Sequence, residues 1–93
     1  MRLTSFTDYS LRVLMYLAAD PDRRATIGEI AGAFGISENH LVKVVHFLGK
    51  AGLLDNLRGR GGGMALAQAP ERINIGAVVR MAEGDAVPAE CFD

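Results

Sequence analysis

The stretch "TIGEIAGAFGISENHLVKVVHFLGKAG", residues 26–52, contains two helix-like segments separated by a very short break. The first has a Thr-x-x-Glu capping pair followed by an apolar stripe at i, i+3, i+4 and i+7, and Gly35 supplies its stop. The second begins after a candidate N-cap, Ser37, and ends at "AG". Its stripe repeats the same spacing, and the two stripes comprise Ile27, Ile30, Ala31 and Phe34, then Leu41, Val44, Val45 and Leu48. Two capped helices that meet across a tight turn predict a helix-turn-helix.

The flanking segments extend this unit on both sides. A helix is predicted over residues 5–19, because apolar residues recur at helical spacing until "DPDRR" interrupts them. After the unit, "LLDNL" and "MALA" are short apolar segments around a glycine-rich stretch, which favours a β-hairpin. Asn74 then caps a last helix that stops at Gly84 and presents one apolar face, made of Ile75, Val78, Val79 and Ala82. The predicted fold is mainly α with a small β-hairpin, a winged helix-turn-helix.

Three interpretations compete for the glycine-rich stretch "NLRGRGGGMALA", residues 56–67. A phosphate-binding loop would need Gly-Lys-Ser/Thr leading into a helix, whereas Gly63 is followed by Met64 and a second strand. A disordered Arg-Gly segment would be longer and would not lie between two strand-like runs. A hairpin tip remains, in which glycines allow a sharp reversal and Arg58, Gly59 and Arg60 approach DNA phosphates or the minor groove. Exposed arginines and glycine-rich turns are also ordinary surface features.

The second helix of the unit is the candidate reader of base edges. Its buried stripe leaves six polar residues facing away from the core: Glu38, Asn39, His40, Lys43, His46 and Lys50. The N-terminal part of such a helix usually meets the bases, which favours Ser37, Asn39, His40 and Lys43 as DNA-binding residues. Asn can bond adenine, Lys can donate to guanine, and Ser37 or the helix N-terminus can hold a phosphate. The alternative is that these residues are only a solvated face, as we expect for His46 and Lys50.

Composition limits the classes of function. The 93 residues, 49% of them hydrophobic, make one small domain with net charge −1. Residues 81–93 hold four acids and no base, so residues 1–80 carry 10 bases against 7 acids, a charge of +3. The mild basicity suits a nucleic-acid partner, but the near-zero total leaves a winged-helix protein-interaction module as an alternative. Salt dependence separates these two functions, because phosphate contacts weaken steeply as salt rises.

Other classes are disfavoured by what the sequence lacks. The single cysteine, Cys91, cannot form an internal disulfide framework or a structural zinc site alone. No apolar run approaches the roughly 20 residues of a membrane span and the N-terminus has no signal peptide, so a cytoplasmic location is predicted. An enzyme is not predicted, because His40 and His46 have no neighbouring nucleophile in any motif and Ser37 is explained as a cap.

The sequence also resembles the Rrf-type winged-helix regulators. The matching pieces cover residues 1–84 nearly completely: "LTSFTDYSLRVLMYLA", "IGEIAGAFGISENHLVKVV", "AGLLDNLRGRGGGMALA" and "INIGAVVRMAEG". Within this family, "SFTDY" and "AECF" are most similar to nitric-oxide-sensing repressors. The resemblance implies a homodimer that binds double-stranded DNA, carries an iron-sulfur cluster of the 4Fe-4S or 2Fe-2S type, and takes nitric oxide as effector.

The same resemblance implies metal ligands. Cys91 corresponds to the first of three cysteine ligands, and Asp8 corresponds to an oxygen ligand given to the partner subunit's cluster. Family members continue with two more cysteines and a long dimerisation helix, whereas this sequence ends two residues after Cys91. We therefore expect residues 1–84 to be the DNA-binding domain, residues 85–93 to be the start of a truncated cluster-binding loop, and the chain not to hold a cluster stably. Asp8 has another explanation, since a carboxylate in the first turn of a helix is favoured by the helix dipole.

Overall fold

A computed structural model of the chain describes residues 4–57 and 63–84. These residues form four α-helices, two strands and one turn of 3-10 helix: α1 (Ser5–Ala18), α2 (Ile27–Phe34), α3 (Glu38–Lys50), β1 (Leu54–Leu57), β2 (Gly63–Leu66), the 3-10 turn (Pro70–Arg72) and α4 (Ile75–Glu83). This order confirms the predicted winged helix-turn-helix. Within these two ranges no helix is long and apolar enough to cross a membrane.

Side-chain caps begin the helices at the predicted residues. The side chains of Thr26, Ser37 and Asn74 accept hydrogen bonds from backbone N–H groups three residues later, at 3.1, 3.2 and 3.0 Å. Thr4 caps α1 in the same way at 3.2 Å, a cap that the sequence interpretation did not include. Gly35 ends α2 in the left-handed conformation, with φ of 67°, so that the chain reverses directly into α3.

The core lies where α1, α3 and α4 meet. The predicted stripe of α3 is buried, with Leu41, Val44 and Leu48 at 0% exposure, and an edge-to-face contact of Phe6 and Phe47 with ring centroids 5.2 Å apart joins α1 to α3. Of the predicted apolar face of α4, Val78 and Ala82 are buried, whereas Ile75 is 49% exposed. Ile75 begins α4 beyond the edge of the core, where it lines an apolar groove.

The hairpin packs on the body through a third segment of chain. Its strands are antiparallel, with Leu54 opposite Leu66 and Leu57 opposite Gly63. Ala25 pairs with Met64 through two backbone hydrogen bonds of 2.9 and 2.7 Å, so the residue before the N-cap of α2 extends the sheet. This pairing was not predicted from the sequence. It fixes the hairpin of β1 and β2, which we call the wing, against the helix-turn-helix.

The end of α4 is joined to the start of α1. The Glu83 carboxylate accepts hydrogen bonds from the Thr4 backbone N–H at 3.1 Å, from the Thr4 hydroxyl at 2.8 Å, and from the hydroxyl of the fully buried Thr7. These donors, Thr7 foremost, hold the pKa of Glu83 below its ordinary value. We call this group of Thr4, Thr7 and Glu83 the terminal clasp. Through it α4 supplies an acceptor to the first turn of α1.

Candidate nucleic-acid interface

The outer face of α3 is polar and accessible. Five residues of the predicted face are exposed in the structure: Glu38, Asn39, Lys43, His46 and Lys50. Among the residues that the structure describes, neither lysine takes part in an ion pair. Because the opposite face of α3 is anchored in the core, this polar face is held in one orientation. Such a helix can enter a DNA major groove as a rigid body.

His40 is placed differently from the other predicted reader residues. Its side chain is half-buried, and its ring lies against that of Tyr9 from α1, with centroids 6.0 Å apart and planes tilted by 36°. The prediction that His40 faces away from the core is therefore wrong in part. This packing links α1 to the first turn of α3.

Ser37 stands at the N-terminus of α3. Its hydroxyl accepts the His40 backbone N–H at 3.2 Å, and the residue itself is exposed. The hydroxyl can still donate a proton outward while it acts as a cap, since a hydroxyl is both donor and acceptor. Ser37 and the positive end of the helix dipole thus give this end of α3 the chemistry of an anion-binding site.

Val42 is an exposed residue of α3 that the sequence interpretation did not include. It is 52% exposed, among the polar residues of the outer face. The signal that could have identified it is its position outside the i, i+3, i+4 stripe of the helix. Phe47 also lies outside the stripe but packs on Phe6 of α1, whereas Val42 falls on the side of the helix that carries Asn39 and His46.

An ion pair and a hydrogen bond made by Glu29 join α2 of the helix-turn-helix to α1 and to the loop before α2. The Glu29 carboxylate of α2 accepts hydrogen bonds from Arg23 at 2.5 and 2.9 Å and from the Tyr16 hydroxyl of α1 at 2.6 Å. The hydrogen bonds from Arg23 and Tyr16, helped by the backbone N–H of Thr26, lower the pKa of Glu29 to about 2. The same carboxylate raises the pKa of Arg23 and of Tyr16. Glu29 therefore remains an anion that holds α2 against α1.

The strands of the wing are braced by Arg24. Its guanidinium donates to the Asp55 carboxylate at 2.7 Å and to the Asp55 carbonyl at 3.1 Å on β1, and to the Gly63 carbonyl at 3.3 Å on β2. One side chain thus holds both strands near the tip. The predicted tip residues Arg58, Gly59 and Arg60 lie outside the described residues.

Asp8 lies in the first turn of α1 and is accessible. Its carboxylate accepts a hydrogen bond from Arg12 at 3.0 Å, and both side chains are 46% exposed. A solvent-exposed pair of this kind is weak enough for a metal to replace the arginine. Within residues 4–57 and 63–84, however, no three His, Cys, Asp or Glu side chains lie close enough together to hold a metal ion. Cys91 lies outside the described residues. The described residues therefore supply one oxygen donor and do not by themselves fit a cluster.

A helix-turn-helix followed by a braced hairpin and a closing helix defines the class of winged-helix proteins. The family model named Rrf2, described as iron-dependent transcriptional regulator, matches residues 3–93. The chain belongs to the Rrf2 family.

Two curated relatives are named HTH-type transcriptional regulator NsrR. The relative from Halalkalibacterium halodurans is 52% identical over 94 aligned residues, and the one from Bacillus subtilis is 53% identical. In both comparisons the alignment includes 100% of this chain and 64% of the relative. The chain thus spans somewhat less than two thirds of the length of these relatives.

Solved structures agree with this family assignment. The structure of CymR, described as the global cysteine regulator of B. subtilis, is 29% identical and superposes with a TM-score of 0.85, over 96% of this chain and 70% of that one. T. potens IscR is 30% identical, with a TM-score of 0.82 over 90% of this chain and 62% of that one. The fold described above is therefore shared with regulators of this family.

Proposed function

We propose that the protein is a sequence-specific DNA-binding transcriptional regulator, acting in the cytoplasm as a repressor. The observation that carries the proposal is the outer face of α3, which is mainly polar and exposed while the opposite face of the same helix is buried. The relatives' names as transcriptional regulators support it.

Each predicted DNA-binding residue has a distinct part in this proposal. Asn39 and Lys43 read base edges, Ser37 holds a phosphate, and His40 lies beside them in the first turn of α3 as a further DNA contact. Arg58 and Arg60, with Gly59 between them, contact phosphates or the minor groove from the wing. In our proposal residues 1–84 form the DNA-binding domain.

Binding at several salt concentrations tests the proposal. The full-length natural protein is first used to enrich preferred duplexes from a random pool. Lys43→Ala and Asn39→Ala should then reduce preference for the enriched duplex over random DNA by about 1–3 kcal/mol. Arg58→Ala and Arg60→Ala should weaken both kinds of binding and flatten the salt slope by about one unit per lost phosphate contact.

Arg72→Ala is the matched control. Arg72 is an exposed base in the 3-10 turn, and its loss should change neither preference nor slope by a comparable amount. Binding that is insensitive to salt and to all four substitutions would contradict a DNA-binding role. It would favour a protein-interaction module instead.

We further propose that the longer protein carries an iron-sulfur cluster and responds to nitric oxide. Support comes from the family description as iron-dependent and from the accessible Asp8 carboxylate. Cys91 would supply a thiolate to the iron, and Asp8 of the partner subunit an oxygen. The group would supply an iron centre able to react with small ligands such as nitric oxide. Residues 85–93 would begin the loop that holds it.

Absorbance of the anaerobically reconstituted full-length protein tests the ligand assignment. Cys91→Ala should lose the cluster absorbance, and Asp8→Ala should shift the spectrum because a hard oxygen donor is lost. Asp22→Ala, at an exposed acid outside α1, should leave the spectrum unchanged. A Cys91→Ala protein with the parent spectrum would remove Cys91 from the site.

Homodimer formation is the remaining part of the proposal. A two-fold DNA site requires two copies of α3 about 34 Å apart, so a dimer binds both half-sites at once. Sedimentation of the full-length protein at micromolar concentration should give twice the monomer mass. A monomer under these conditions would contradict it.

A further inference from the structure

Val42 is an apolar residue on the polar outer face of α3. It is 52% exposed, whereas its neighbours in the helix stripe, Leu41 and Val44, are at 0%. Single exposed valines are common on protein surfaces, so exposure alone gives no function. The position of the side chain on α3 is more informative.

Val42 lies in the strip of α3 that carries the proposed reader residues. At about 100° per residue, it lies about 60° from Asn39 and about 40° from His46 around the helix axis. Both of these neighbours are exposed. Val42 belongs to the second turn of α3, and the first turns of a recognition helix are the part that meets base edges. A helix that brings Asn39 to a base therefore brings Val42 to the same base pair or the next one.

The chemistry of the major groove limits what a valine can contact there. Nearly every group on the base edges is a hydrogen-bond donor or acceptor, and covering one with an apolar side chain would remove its water without replacing it. The exception is the 5-methyl group of thymine, which is apolar and stands out into the major groove. We propose that Val42 is a specificity-determining residue that contacts the methyl group of a thymine. This inference rests on the proposed DNA-binding function.

Removal of single methyl groups from the DNA tests the contact. In a duplex enriched by the full-length natural protein, each thymine is replaced singly by deoxyuridine, which pairs identically but lacks the methyl group. At one thymine of each half-site the parent protein should lose about fourfold in affinity, the value expected for one apolar carbon removed from a buried contact. Val42→Ala should bind the thymine duplex more weakly and should no longer distinguish it from the deoxyuridine duplex.

Met15→Ala is the matched control, because Met15 is also an exposed apolar residue, at 64%, but lies on α1. This variant should discriminate thymine from deoxyuridine as the parent does. Alanine is well tolerated in a helix, and circular dichroism should show Val42→Ala folded like the parent. A parent protein indifferent to every methyl group, or a Val42→Ala protein with full discrimination, would overturn the role of Val42 while leaving DNA binding intact. Failure to enrich any duplex would instead overturn the proposed function and this inference with it.

Discussion

At Gly63, both the backbone conformation and the neighbouring atoms disfavour any residue with a side chain. Its φ is 132°, a conformation that L side chains rarely adopt, and a Cβ there would lie 2.9 Å from the carbonyl oxygen of Ala25. That carbonyl accepts the Met64 N–H, so it cannot move without loss of the pairing that holds the wing. Ala25 and β2 can therefore approach each other this closely only because residue 63 is a glycine and has no Cβ.

Gly63→Ala should therefore destabilise the protein by about 1–3 kcal/mol, the usual cost of a strained backbone conformation. Urea unfolding of parent and variant measures this difference. Gly32→Ala is the control: Gly32 lies inside α2 with nothing within 4 Å of its added Cβ, and the change should stabilise the helix by about 0.5–1 kcal/mol. Equal effects at the two positions would contradict the role assigned to Gly63.

The lowered pKa of Glu29 predicts how the free energy of unfolding depends on pH. Its pKa is lowered from 4.5 to about 2, so the folded state binds this proton less readily than the unfolded chain. The stability it contributes is fully present above about pH 4.5 and is lost as the pH falls from there through about 2. The free energy of unfolding of the parent should therefore exceed that of Glu29→Gln at pH 6, and the difference should shrink towards pH 2.5. A difference that stays constant between these pH values would show that the charge of Glu29 does not matter.

At the scale of elements, our proposal gives one residue of the α3 N-terminus both a stability role and a recognition role. Ser37 caps the helix and is exposed at the end that we propose faces DNA. Ser37→Ala should cost about 1 kcal/mol of stability through loss of the cap. Ser37→Asp keeps a capping oxygen but adds a negative charge, so it should fold like the parent while binding DNA more weakly.

Asn74→Asp is the matched control for that substitution. It adds the same charge at the cap of α4, away from α3. Urea unfolding of both aspartate variants measures their stability, and DNA titration measures their affinity for DNA. If Asn74→Asp weakens DNA binding as much as Ser37→Asp, the effect comes from net charge and Ser37 has no place at the interface.

The helices and the hairpin could be predicted because their signals are local. Caps such as Thr26 and Ser37 act three residues away, and the apolar stripes repeat within one helix. The brace from Arg24 to Asp55 and the contact of His40 with Tyr9 join distant parts of the chain, and no local pattern encodes them. The candidate reader residues were predicted among the polar residues of the outer face near the N-terminus of α3, which is why the apolar Val42, a reader only in our proposal, was overlooked. Arg58, Gly59, Arg60 and Cys91 stay predictions from the sequence.

At the scale of the whole molecule, the terminal clasp joins α1 to α4, the first and last helices of the described residues. Thr7 is fully buried, so loss of its carboxylate acceptor leaves its hydroxyl with the Thr4 hydroxyl, 3.0 Å away, in place of a charged partner. Glu83→Ala and Thr7→Val should each lower the melting temperature. Because both remove the same contact, the double variant should lower it by less than the sum of the two.

Calorimetry of the four proteins measures this coupling. Glu71→Ala, which removes an exposed carboxylate in the 3-10 turn, is the control and should leave the melting temperature close to that of the parent. Additive effects of Thr7→Val and Glu83→Ala would mean that the two side chains stabilise the fold independently.

The terminal clasp also gives the fold a circular order. Since residue 4 and residue 83 touch, the path of the described chain returns to its starting point, and its first and last helices are neighbours in space as α2 and α3 are. A chain in which residue 83 is joined directly to residue 4 and a new opening is made at an exposed turn should keep the described helices and strands in place. The order of the elements along the chain is thus one of several that the same packing could accept.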